Sequence, residues 1–111
     1  MPKVKPKKVV YLSGPITGVI EYWKPFERAD DALTRHDVAV LNPSALPKGM
    51  TNEQYMRICF SMIDSADLVL FLPGWQDSDG ATLEMQHCMY TDKRRAFSIV
   101  EALNVLEAIK K

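Results

Sequence analysis

Glu84 is the residue around which chemistry can be built. It closes the stretch Leu72-Pro-Gly-Trp-Gln-Asp-Ser-Asp-Gly-Ala-Thr-Leu-Glu84, where an apolar run ends, turns through Pro73-Gly74 and gives way to helical spacing. Ser78 and Asp79 are residue types that cap helices, and Leu83, Gln86, His87 and Tyr90 follow at helical intervals. The first N–H groups of a helix lack intrahelical partners and attract anionic or oxygen-rich ligands. Glu84 therefore falls about one turn inside a helix whose start is a ready polar site. With Tyr11 to orient it, such a carboxylate suits glycosyl chemistry: it can attack an anomeric carbon, or stabilise an oxocarbenium-like transition state, without a cofactor. Trp75 could stack a planar base, and the amides near Ser78 and Gly80 could hold sugar hydroxyls or a phosphate.

Other chemistries find less support. There is no Gly-x-Ser-x-Gly elbow for a serine nucleophile. The glycine-rich loop from Gly14 to Gly18 has the spacing of neither a dinucleotide fingerprint nor a Walker motif. No His, Cys and Asp residues cluster with metal-ligand spacing, so neither metal nor cofactor is expected.

The elements that must position these residues follow from apolar periodicity. Val9-Val-Tyr-Leu-Ser13 predicts a first strand, ended by Gly14-Pro15. A helix is expected from Tyr22 to Arg35, with Pro25 tolerated in its first turn and Phe26, Ala29 and Leu33 on one face. His36 falls at its C-terminal end, a structural or exposed position. Val38-Ala-Val-Leu41 predicts a second strand, which delivers Asn42 to the same edge as Gly14 and Gly74. Thr51 and Gln54 form a capping box before a helix with a core stripe of Tyr55, Ile58, Cys59, Met62 and Ile63, its methionines serving as core filler. Leu68-Val-Leu-Phe-Leu72 reads as a fully buried parallel strand. Ala96-Phe-Ser-Ile-Val100 predicts a fourth strand, and Ala102, Val105, Leu106 and Ile109 the apolar face of a closing helix.

Strands alternating with helices over short connections predict an α/β fold: a small Rossmann-like or flavodoxin-like three-layer domain with a mainly parallel sheet. Ligands of such sheets bind beyond the C-terminal strand ends. Residues 1–8, with Lys3, Lys5, Lys7 and Lys8 around Pro2 and Pro6, read as a flexible basic arm, and residues 9–111 as a single domain. Four strands are few for a doubly wound sheet, so a partner subunit is expected to complete an edge or face and the chain to form a homo-oligomer.

At 111 residues the chain can remove roughly two-thirds of its unfolded surface from water without a disulfide or metal staple. Its basic and acidic residues balance at 14 each, which disfavours nucleic acid or an anionic membrane as a partner. Cys59 and Cys88 are too few for a secreted disulfide framework and read as reduced thiols, consistent with a cytoplasmic protein. No apolar run approaches the roughly 20 residues of a membrane span.

Tyr11-Leu-Ser-Gly14, Ala66-Asp-Leu-Val69, Leu72-Pro-Gly-Trp75 and Ser78-Asp-Gly-Ala-Thr-Leu-Glu84 together resemble the nucleoside 2-deoxyribosyltransferase-like superfamily. The similarity is greatest to a small branch, common in phages and prophages, described as a domain of unknown function, and it covers the chain from about Val9 to Tyr90. It implies that Glu84 is a nucleophile that forms a covalent deoxyribosyl-enzyme and that Tyr11 orients it. Ser78 would contact the sugar or its phosphate. Gly14, Thr17, Asn42, Trp75, Asp79 and Gly80 complete the expected binding residues, with a nucleoside or nucleotide as the small-molecule partner.

Three positions depart from the superfamily. Cys59 stands about where those enzymes carry an aspartate that assists the base. Pro15 and Thr17 stand where nucleotide hydrolases present a serine and an arginine to the 5′-phosphate. Asp64, Asp77 and Asp79 are candidate substitutes for the missing carboxylate. Two readings stay open: an enzyme that cleaves or exchanges the N-glycosidic bond of deoxynucleosides, as a transferase or an N-hydrolase, and a catalytically inactive module that senses or sequesters a nucleoside or nucleotide. A third, a phosphoribohydrolase of the lysine-decarboxylase-like type, rests on a loose similarity of Pro73 to Glu84.

Overall fold

The computed structural model describes residues 5–109. Pro2 and Lys3 of the expected arm, and the last two positions of the expected domain, lie outside the described residues. The arm nearest the sheet is engaged: Lys7 pairs with Asp37 at 3.2 Å, and the Lys8 ammonium donates to the carbonyl of Leu106.

The elements run β1 (Val9–Ser13), α1 (Trp23–Thr34), β2 (Ala39–Leu41), α2 (Asn52–Ser65), β3 (Leu68–Phe71), α3 (Asp79–Thr91), β4 (Arg95–Ala96) and α4 (Ile99–Ala108). The strands form one sheet in the order β2-β1-β3-β4, and every pairing is parallel. The chain is thus a small Rossmann-like three-layer α/β domain. The order in which strands are added reverses between β1 and β3, which makes their C-terminal ends the switch point where open α/β sheets form crevices.

Strand alternation builds two cores. Val10 and Leu12 of β1 and Leu68 and Leu70 of β3 face one way, onto Phe26, Ala29 and Leu33 of α1 and Ala102 and Leu106 of α4. Tyr11, Val69 and Phe71 face the other way, onto Cys59 and Ile63 of α2 and Cys88 of α3. Each central strand is buried on both faces, which is why its sequence reads as an uninterrupted apolar run.

Local signals set the helix boundaries. Thr51 and Gln54 close the capping box at the start of α2. The Ser98 side chain accepts from the Glu101 amide and starts α4, which corrects the expected strand over Ala96–Val100. Only Arg95 and Ala96 pair with β3, because the cap at Ser98 commits the β-branched Ile99 and Val100 to the helix. The helical spacing from Leu83 to Tyr90 falls within α3, capped at Ser78. Leu83 and Tyr90 are exposed, and the face turned to the sheet is Ala81, Glu84 and Cys88. Among the described residues no helix is long and apolar enough to cross a membrane.

Candidate active site

The second core contains one carboxylate. Glu84 is 5% exposed, on the inward face of α3, and both of its oxygens are held from β1. The Tyr11 hydroxyl donates to Oε2 at 2.9 Å and the Ser13 hydroxyl donates to Oε1 at 2.6 Å. Tyr11 and Ser13 sit two apart on a strand, so both project from the same face. Both are buried, and Ser13 is fully so.

Loop packing brings β1 and β3 to the site at a fixed height. The amide of Leu72 donates to the carbonyl of Ser13 at 2.7 Å, directly beyond the register pair Ser13 and Phe71. A Cβ on Gly14 would meet that of Leu72 at 3.1 Å, so a side chain there would push Leu72 back by a few tenths of an ångström. Gly74 has φ +87, and a Cβ there would meet Pro15 at 3.3 Å. The chain then makes a 3₁₀ turn, Trp75–Asp77, and enters α3 through Ser78, whose side chain accepts from the Ala81 amide at 3.2 Å.

Electrostatics follow from this burial. Loss of water pushes the Glu84 carboxyl above its ordinary 4.5, opposed by hydrogen bonds from Ser13, Tyr11 and Cys59 and by the nearby His87. Burial also raises the Tyr11 phenol above its ordinary value, with the Glu84 charge adding to it. Burial pushes the Cys59 thiol up to about 11, so at neutral pH it is an uncharged neighbour of Tyr11 and Glu84. One turn further along α3, His87 lies 2.7 Å through Nε2 from Asp64 of α2 and stacks on Phe60 at a ring separation of 4.6 Å.

Of the expected site residues, Glu84 and Tyr11 meet directly. Gly14 packs closely against Leu72, whereas Gly80 lies in the first turn of α3, where a Cβ would make only an ordinary contact with Met56 at 4.0 Å. Ser78 caps α3, and its carbonyl accepts from Thr82 at 2.9 Å, so the Ala81 and Thr82 amides are engaged within the helix start. Asp79 and Thr17 are exposed. Asn42 is tied elsewhere: it donates to Asp30 of α1 at 3.0 Å and accepts from the amide and hydroxyl of Ser44. Trp75 packs on Phe71 and Phe97 at ring separations of 5.2 and 6.1 Å. These rings line an open cleft of about 350 Å³ with Pro73, Gly74 and Gln76, on the β3 and β4 side of the sheet. A second cleft of about 400 Å³ lies against β2 and α2, lined by Leu41, Arg57, Ile58, Ser61, Met62 and Ser65. Glu84 lines neither.

Sequence reasoning missed Ser13 as a partner of Glu84. The available signal was its two-residue offset from Tyr11, which places both on one face of a strand. Among the described residues no three His, Cys, Asp or Glu side chains are grouped to hold a metal ion.

A parallel α/β domain with a hydroxyl-held carboxylate beneath its switch point defines the structural class. The chain belongs to the family described as Domain of unknown function (DUF4406), whose model matches residues 8–100. No curated protein matches the chain.

Proposed function

We propose that this protein belongs to the nucleoside 2-deoxyribosyltransferase-like superfamily and cleaves or exchanges the N-glycosidic bond of deoxynucleosides, with Glu84 as nucleophile. The observation that carries the reading is the buried Glu84 carboxyl held by Tyr11 and Ser13 at the start of α3. In the forward step a Glu84 oxygen forms a bond to the anomeric carbon as the bond from that carbon to the base nitrogen breaks. The electron pair leaves with the base, which takes up a proton. Water or a second base then attacks the same carbon, returns the pair to the carboxylate and gives up to solvent the proton that balances the one the departing base took up. Tyr11 and Ser13 donate only hydrogen bonds, which favour the ionised carboxylate that attack requires. The departure of Thr17 from the arginine of nucleotide hydrolases makes the nucleoside the favoured substrate over its 5′-monophosphate.

Cys59 supports a second reading, a catalytically inactive module that binds a nucleoside or nucleotide. Its buried neutral thiol supplies neither the charge nor the readily transferred proton of the aspartate expected there. Both readings include self-association in a cytoplasmic setting. Its support is the set of apolar side chains left in solvent on α3 and near β4: Leu83, Met89, Tyr90, Phe97 and Val100.

Incubation with a panel of deoxynucleosides and their 5′-monophosphates, with and without a second free base, separates the readings. Base release or exchange that Glu84→Ala abolishes establishes the enzyme. Saturable binding without turnover establishes the module.

A further inference from the structure

We propose that Ser13 is a positioning residue for Glu84, fixing one carboxylate oxygen while Tyr11 fixes the other, so that the carboxyl group is presented in a single orientation. This rests on the reading of Glu84 as nucleophile. Three observations carry it.

The Ser13 hydroxyl lies 2.6 Å from Oε1, the shorter of the two bonds, and a serine hydroxyl has one proton to donate. Ser13 is 0% exposed, so no water competes for that proton. Its backbone is itself fixed, through its carbonyl to Leu72 and its register with Phe71, so the hydroxyl arrives at a set position. Tyr11 alone would leave the carboxyl group free to turn about its terminal torsion, which is soft in glutamate. Bonds to both oxygens remove that freedom, and an oriented nucleophile is worth far more than a tethered one.

The same bond acts on ionisation, since a donor to a carboxylate favours its charged form. The groups that face Glu84 are Tyr11 and Ser13 from β1, Cys59 from α2, and His87 and Cys88 from α3 itself, with Asp64 of α2 bonded to His87. Helices α1 and α4 pack on the opposite face of the sheet. Of this set the two hydroxyls divide the carboxylate between them, Tyr11 at Oε2 and Ser13 at Oε1.

The test compares wild type with Ser13→Ala and Ser13→Thr in two measurements. The first follows the Glu84 side-chain carboxyl carbon by NMR across pH in protein labelled with ¹³C-glutamate, with the resonance assigned by its loss in Glu84→Gln. The second follows kcat/KM for deoxynucleoside cleavage across pH. Ser13→Ala is expected to raise the Glu84 midpoint by about one pH unit, a tenfold change in its ionisation constant. The acidic limb of the rate profile moves with it, kcat falls more than KM rises, and Ser13→Thr restores both. An unmoved midpoint in folded Ser13→Ala, or a rate loss equal at every pH, overturns the role. The titration requires no turnover. If wild type cleaves nothing while the midpoint still moves, the nucleophile reading fails and the hold of Ser13 on Glu84 stands.

Discussion

At the residue scale, the state of Glu84 is decided by opposing terms. Burial raises its pKa, and the hydroxyls of Ser13 and Tyr11, the Cys59 thiol and His87 lower it; burial is the largest. As a nucleophile Glu84 must be ionised, so kcat/KM for base release is expected to rise with pH through a value above 4.5. A profile already flat at that pH would contradict the burial argument. The same shift acts on stability with a definite sign. Between its unfolded value and its raised folded value, Glu84 holds more proton in the folded chain, so stability falls as pH rises across that window. Glu84→Gln removes this loss. Thermal melts of the two proteins should converge toward acid and separate toward neutral pH, with the variant the more stable there. Cys59 and Cys88 offer an independent probe of the same interior. Both thiols are buried and pushed up to about 11. Alkylation of the native protein at neutral pH, followed by mass spectrometry, should be slow at both and become rapid only on unfolding.

At the element scale, the strand ends and helix caps place these side chains. The αL turn at Gly74 lets the chain leave β3, pass Pro15 and enter α3 at the height that aims Glu84 toward β1. Gly74→Ala adds a Cβ to a backbone with φ +87, in contact with Pro15, and should cost about 1–2 kcal/mol in a urea titration. The capping box at Thr51 fixes the start of α2, the helix that carries Cys59 and Asp64. Thr51→Ala should cost about 1 kcal/mol by the same measurement, with the Glu84 site intact. The limits of sequence reading lie at this scale too. The strand Val9–Ser13, the capping box and the stripe Phe26, Ala29 and Leu33 were legible, because each is a local pattern with a local cause. The extent of the fourth strand was not, since Ile99 and Val100 carry strand propensity that the Ser98 cap overrides. The inward face of α3 was hidden for a related reason. Its members are Ala81, Glu84 and Cys88, small or charged residues that an apolar count passes over, while Leu83 and Tyr90 lie in solvent.

At the scale of the whole molecule, the parallel order β2-β1-β3-β4 brings Tyr11 and Ser13 against Glu84, 73 and 71 positions along the chain. The meeting of Tyr11 with Glu84 could be anticipated once both were placed at one sheet edge. The pairing of His87 with Asp64 could not, because it depends on how two helices cross. Nor could the engagement of Asn42 with Asp30 and Ser44, since a polar residue at a strand end reads alike whether it caps a turn or awaits a ligand. From the exposed Tyr90, Met89 and Phe97 we expect sedimentation velocity to find an oligomer rather than a monomer, and Tyr90→Lys to shift the population toward the single chain.

The central claim is that Glu84 takes the sugar. The most direct measurement is the intact mass of the protein after brief incubation with a deoxynucleoside and an acid quench, with released base followed in parallel. The expected result is a fraction of the protein heavier by one deoxyribosyl group, with the adduct mapped to Glu84 and lost together with base release in Glu84→Gln. Base release that persists undiminished in folded Glu84→Gln, or an adduct on another residue, would contradict it.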